Sequence, residues 1–336
     1  MKKASIDIQP FERKGHFDFW RIRISDAKNR QSLILNFNRM NSENQFRKLV
    51  QINAIYFYED EAKKPKKQVF YQEVDFNSKD QFQWVDDDHL TIGKCLISPQ
   101  EISGQVQSRG KTLKWKFNIT WTNRTGYKLY PNVFKALGLV HPTSSTLNSM
   151  FTVSGTTEMD GIERQWPEAQ GILGHSSGQC QYHSWTWAHC DSLMSSHQST
   201  NPSFFEAIQF RSRWVGPIKS PPVTMIVLTY EDEIYSWSSP VHFLQMSSKL
   251  KLNEWTLQAE KSQLKFKISI QGASDQFVGT VLEDTDGSYL FSHLNLFSNI
   301  SITVYRAGKL ETRLSSHQCA LEFTKREKVS TVAYSH

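Results

Sequence analysis

The chain has 336 residues, a formal net charge of +6 and four cysteines. That length holds a sizeable core and suggests two domains or one large one. The charge is spread out, with Lys63-Lys64-Pro65-Lys66-Lys67 as the one dense basic run, so no nucleic-acid partner is expected. Cys95, Cys180, Cys190 and Cys319 are scattered, which excludes a disulfide framework and suits a reducing, cytoplasmic setting. Met1-Lys2-Lys3 runs into polar residues rather than a signal core, and no run approaches the ~20 apolar residues of a membrane helix.

The pattern is β nearly throughout. His16 to Ser25 mixes aromatics with Ile22 and Ile24, and Leu33, Leu35 and Phe37 alternate with polar residues. Ala54 to Tyr58, Lys67 to Phe76 and Phe82 to Gly93 read as further strands. Ile97 to Val106 carries a Pro and a Gly, so it is broken or an edge. Leu113, Trp115, Phe117, Ile119 and Trp121 alternate with polar residues, giving one buried and one wet face. Pro131 to Leu137 is a candidate short helix in a loop-rich stretch. Asp160-Gly161 and Asp286-Gly287 mark hairpin turns. Ser192 to Pro202 is polar and reads as a loop. Strands follow at Phe204 to Arg211, Thr224 to Tyr230, Glu233 to Ser238, Trp255 to Ala259, Leu264 to Ile270, Phe277 to Leu282, Tyr289 to His293, Ile300 to Arg306 and Glu311 to Lys325.

Two internal likenesses suggest a duplication. Leu113 to Ile119 and Leu264 to Ile270 share a lysine-rich alternating pattern, and His16 to Trp20 resembles His183 to Trp187. Any two lysine-rich amphipathic strands share the first pattern, so the duplication is one of two readings. So many antiparallel strands suggest closed barrels, which remove exposed edges. A barrel of roughly eight strands holds packed side chains or one small ligand.

The stretch Gly174 to Asp191 organises the chain. From His183 it reads as a strand with His183, Trp185, Trp187 and His189 on one face and small residues on the other. Three chemistries compete with plain core packing here. Gly174-His175-Ser176-Ser177-Gly178 fits a serine hydrolase elbow through Ser176, but that motif needs a helix straight after it, and an alternating pattern follows. His183 and His189 lie roughly 20 Å apart if extended, too far to chelate one metal. The third is a site in which imidazoles and indoles face a cavity; core packing alone also accounts for Trp187.

Several segments together resemble a known family. They are His16 to Arg21, Ser154-Gly155-Thr156-Thr157-Glu158-Met159-Asp160-Gly161, the Gly174-His175 turn with Gly178, Trp185-Thr186-Trp187, and Cys319-Ala320-Leu321-Glu322-Phe323. The chain resembles the lipocalin-like two-barrel superfamily that includes carotenoid 1,2-hydratase (hydroxyneurosporene synthase), tocopherol cyclase and certain cofactor-free Diels–Alderases. The resemblance implies an all-β fold of two lipocalin-like antiparallel barrels packed side by side, with few short helices. We place them at 1–180 and 181–336. It also departs from the family, because Ser177 stands where a Trp is expected.

The resemblance further implies acid-catalysed hydration or cyclisation of a hydrophobic, isoprenoid-type molecule, with no cofactor. His183-Ser184-Trp185 is similar to the His-x-Trp of the hydratases, and Tyr230-Glu231-Asp232 to their Tyr-x-Asp pair. The candidate catalytic residues are therefore His183, Trp185, His175, Tyr230 and Asp232. Trp187, His189, Trp20 and Phe19 are candidate substrate contacts. Asp191, Asp232, Glu158 and Glu168 are candidate acids. Such chemistry needs a proton donor held neutral by burial and indole faces for the cation. The alternative is a non-catalytic carrier of a lipid or isoprenoid, and either one allows peripheral membrane contact for uptake.

Overall fold

The computed structural model describes residues 14–43, 48–74, 82–86, 89–121, 143–195, 203–212, 219–329 and 334–335. The first sheet runs β1 (His16–Asp26), β2 (Gln31–Asn41), β3 (Lys48–Glu59), β4 (Pro65–Val74), β5 (Phe82–Asp86), β6 (His89–Ile92), β7 (Cys95–Ile97), β8 (Glu101–Ser108), β9 (Lys111–Trp121), β10 (Thr143–Met159) and β11 (Ile162–Gly178). The second runs β12 (Ser184–Ser195), β13 (Ser203–Arg211), β14 (Val223–Tyr230), β15 (Glu233–Trp237), β16 (Met246–Lys251), β17 (Glu254–Lys261), β18 (Leu264–Gln271), β19 (Val278–Glu283), β20 (Tyr289–Arg306), β21 (Lys309–Lys325) and β22 (Tyr334–Ser335). The helices among the described residues are two 3₁₀ turns, Pro240–Gln245 and Ser274–Gln276. None of the described helices is long and apolar enough to cross a membrane.

Each sheet is in the main an antiparallel meander rolled on itself; in the second, β18 and β19 both pair with β20, and β22 adds to β19 in parallel. In the first, sequence order runs around the sheet, and β11 returns to pair with β1. β4 and β5 end the hydrogen-bonded order, and β4 packs on β8 as the sheet curls. The second repeats the plan. β21 returns to β12, and β15 and β16 are the ends. The two lysine-rich strands hold equivalent places, β9 and β18 each lying three strands before the first strand of its barrel. The likeness between the two halves is thus also one of position. The long hairpins β10–β11 and β20–β21 turn at Asp160-Gly161 and Ala307-Gly308, where φ is positive at all four residues.

Alternation decides what each strand buries. On β1, Trp20, Ile22 and Ile24 point into the first barrel, with Leu33, Leu35 and Phe37 of β2 and Trp115 and Phe117 of β9. Gly104 of β8 admits Trp115, because a Cβ there would lie 2.7 Å from the indole and 2.6 Å from Cys95 Sγ. The second barrel is filled by Ala188, Cys190, Phe205, Ala207, Trp255, Phe266 and their neighbours. Both interiors are packed with side chains. The four cysteines are free thiols.

Local expectations are refined in three places. β12 continues through Ser195, so Ser192 to Ser195 is strand rather than loop. The Gly174-His175 pair is not a turn but the end of β11, with Trp20 opposite His175 and Phe19 opposite Ser176. Ile97 to Val106 is broken at Ser98–Gln100, yet β8 is paired on both sides and is no edge. The helix expected at Pro131 to Leu137 lies outside the described residues.

A third apolar cluster lies between the barrels. It joins Ile34, Ile55, Phe57 and Ile172 of the first to Trp187, Phe204, Ile208 and Leu294 of the second. Charged side chains cross it. Arg23 is fully buried, donates to Asp191 at 2.8 Å and to the Gln318 carbonyl at 2.9 Å, and lies 2.8 Å from His189 Nδ1. Ser25 donates to the other Asp191 oxygen at 2.9 Å. Burial first, then the Arg23 charge, hold His189 well below the ordinary imidazole pKa. It is therefore neutral, and its Nδ1 accepts from the guanidinium.

Removing one partner of such a pair leaves an unpaired buried charge. Arg23→Ala is expected to cost about 3–5 kcal/mol, whereas Arg23→Met with Asp191→Leu restores most of it. Urea denaturation of the single and double variants checks this.

Candidate functional site

A cavity of about 100 Å³ opens between the barrels, beside the Arg23 network. The outward faces of four paired strands build it. β1 contributes Phe19 and Arg21, β11 contributes Ile172, Gly174 and Ser176, β12 contributes Trp185 and Trp187, and β13 contributes Glu206 and Ile208. Tyr182, in the link between β11 and β12, and Leu282 of β19 complete the wall. The large face of β12 thus looks at the other barrel, and its small face packs inside its own.

Glu206 is the group with the most unusual environment. It is 2 % exposed, on a strand that otherwise reads Phe204-Phe205-Glu206-Ala207-Ile208. Trp187 Nε1 donates to its Oε1 at 2.8 Å. Burial pushes its pKa up to about 8, with Arg21 opposing the shift. Glu206 is therefore a neutral carboxylic acid at pH 7.

Arg21 is committed elsewhere. It forms an ion pair with Glu322 through Nη1, with Nη2 3.3 Å from the second oxygen, and Nε donates to Asn36 at 3.0 Å. Burial disfavours ionised Glu322, but Arg21, Ser292 and Thr324 more than offset it and hold the carboxylate below its usual range. The guanidinium sits 5.1 Å from the Trp187 ring and 5.3 Å from Phe19. One face of Trp187 is thus taken by a cation, while Trp185 contacts Tyr182 edge-on at 6.4 Å.

His175 lies against the cavity but turns its ring into the first barrel. It stacks on Trp20 at 5.0 Å, and its Nε2 is 3.1 Å from Asp18 Oδ1. Arg39 also grips Asp18, with Nε at 3.1 Å. Burial works against the Asp18 charge, and His175 and Arg39 overcome it, so its pKa is lowered.

The structure brings Phe19, His175, Trp185 and Trp187 of the candidate residues together at the cavity. Trp20 supports His175 from inside the barrel. His183 lies just before β12, tied by its backbone N–H to Arg211, and does not line the cavity. His189 is sealed against Arg23. Tyr230 and Asp232 sit at the β14–β15 turn, with Tyr230 packed on Phe266, and line none of the cavity. Of the candidate acids, Asp191 holds Arg23 and Glu158 pairs with Lys114 at the surface. Ser176 lines the cavity from a strand, and no helix follows it. Among the described residues no His, Cys, Asp or Glu trio converges as metal ligands would.

Sequence reading missed Glu206, Arg21 and Glu322. Each carried a signal. Arg21 and Arg23 share one face of an otherwise aromatic and aliphatic strand, and Glu206 and Glu322 are lone acids in apolar runs.

The sequence matches no known family profile and no curated protein. Solved structures do share its fold. Kievitone hydratase from Nectria haematococca aligns over 93 % of this chain and 89 % of that one, with a TM-score of 0.51 and 10 % identity. CghA aligns over 93 % and 88 %, with a TM-score of 0.53 and 8 % identity. CghA with Sch210972 gives 0.52 at 8 % identity over the same shares. At these identities the likeness is one of fold.

The Glu206 shift sets a pH dependence. Below about pH 4.5 the carboxyl is neutral folded or unfolded; between 4.5 and 8 only the unfolded chain ionises, so stability falls as pH rises. Above 8 the contribution no longer changes. Glu206→Gln is expected to lose less stability than wild type between pH 5 and pH 8, read by urea denaturation at both values.

Proposed function

We propose that the inter-barrel cavity is the active site of a cofactor-independent hydratase (lyase) or cyclase (isomerase) acting on a hydrophobic, isoprenoid-type alkene. The observation that carries this reading is Glu206, a buried carboxylic acid pushed up to about 8 in an aromatic cavity. It is neutral at working pH, so it can give a proton, and it titrates close enough to take one back. The fold shared with kievitone hydratase supports a hydration chemistry on this scaffold. The barrels are proposed as the two domains, meeting near residue 180.

The steps balance without an added reagent. The Glu206 proton goes to one alkene carbon, using the π electrons to form the new C–H bond. The cation left on the other carbon meets the ring of Trp185, because Arg21 already covers Trp187. Water or an internal hydroxyl adds there and returns its proton to the Glu206 carboxylate. Trp187 positions the carboxyl through its indole N–H. Tyr182, Phe19 and Ile208 give the cavity apolar walls against the cation's surroundings. His175 and Asp18 back the wall from inside the first barrel.

A carrier function is the second reading. A uniformly apolar lining would favour it, and the cavity wall instead includes Glu206 and Arg21, the latter paired with Glu322 behind it.

The test is turnover of a panel of prenylated phenols and acyclic polyenes in D₂O, with deuterium uptake read by mass spectrometry. Glu206→Gln is expected to lower kcat by about 10²–10⁴-fold. Trp185→Leu is expected to lower it by about 10–30-fold, the worth of a desolvated cation–π contact. Full activity in Glu206→Gln would contradict the assignment, and tight binding with no turnover of any member would favour the carrier.

A further inference from the structure

The inter-barrel cavity is too small for the whole of such a substrate. About 100 Å³ falls below the roughly 300–1,000 Å³ of ordinary ligand sites. A second cavity, of about 620 Å³, opens at one end of the second barrel. Trp185 lines both. Among the described residues, a molecule whose reacting end lies beside Glu206 finds this larger space on the other side of that one indole.

The second cavity has a distinct chemistry. Arg211, Lys251 and Lys325 line it, and no carboxylate does among the described residues. Lys251 is answered by Glu254 at 3.6 Å on the outer surface. Arg211 and Lys325 make no ion pair among the described residues. Phe210, Phe323 and Leu250 give the same space apolar walls. Its floor is a polar plug. Gln209 Nε2 donates to Thr224 and Ser248, each at 2.8 Å, and Trp255 Nε1 donates to Ser248 at 2.9 Å. Behind it the barrel interior is filled with buried side chains, while Trp185 borders both cavities.

We infer that the mouth of the second barrel is a binding site for the anionic head group of an amphiphilic substrate, whose unsaturated tail passes Trp185 into the inter-barrel cavity. This rests on the proposed reaction for the role of the tail, and it narrows the substrate class to acids with an apolar chain. A guanidinium and an ammonium group with no acidic partner among the described residues, beside aromatic walls, suit a carboxylate or phosphate on a hydrocarbon. A neutral polyene or alcohol would make no ion pair with those cations.

The experiment uses dansylaminoundecanoic acid and its methyl ester as probes, titrated into the full chain and read by tryptophan-to-dansyl energy transfer. The acid is expected to bind at least about tenfold tighter than the ester, a preference of about 1.4 kcal/mol. Arg211→Gln with Lys325→Gln is expected to remove that preference while ester binding persists, which also shows that the variant is folded. Glu206→Gln is expected to keep the preference, so head-group binding is read apart from the chemistry. Equal binding of acid and ester by wild type would overturn the inference. So would an unchanged preference in the double variant, whether or not turnover is ever found.

Discussion

The structure depends on how charge is carried across the face between two barrels. Each barrel fills its own interior with aromatic and aliphatic side chains, and the strands that close each meander also face the other barrel. β1 brings Arg21 and Arg23 to that face, and β12, β13 and β21 bring Asp191, Glu206 and Glu322. Arg23 is matched to Asp191 and Arg21 to Glu322. Glu206 lies on the same face but takes an indole N–H as its donor. Desolvation outweighs the opposing Arg21 charge and keeps it protonated. The proposed proton donor is thus the acid whose burial the charges of the interface do not offset.

Much of the fold is legible in the chain. Period-two alternation identifies β9 and β18 outright, and Asp160-Gly161 and Asp286-Gly287 mark turns that the structure contains. The two faces of β12 are legible too, because large and small residues alternate from His183 onward. What cannot be read is where each face points. Alternation alone allows the large face to look into its own barrel; it looks at the other because β12 pairs with β21 and β13 at a register that sends Ala188 and Cys190 inward.

The site is less legible for the same reason. Arg21 and Glu322 meet across 301 positions, and Trp187 meets Glu206 across two paired strands. A histidine beside tryptophans draws attention to His183, yet its place before β12 leaves it off the cavity wall. Glu206 hides in plain view, since one acid in an apolar strand reads as a surface residue until both sides of that strand are known to be covered. Trp185 and Trp187 look equivalent in sequence but differ in use. One is covered by Arg21, and the other divides two cavities.

The most direct measurement is a difference infrared spectrum of wild type against Glu206→Gln, recorded across a pH titration. The account predicts the carbonyl stretch of a protonated carboxylic acid at pH 7, absent from the variant and lost as pH rises through about 8. A difference spectrum showing only an ionised carboxylate at pH 7 would contradict it, because a charged Glu206 has no proton to give.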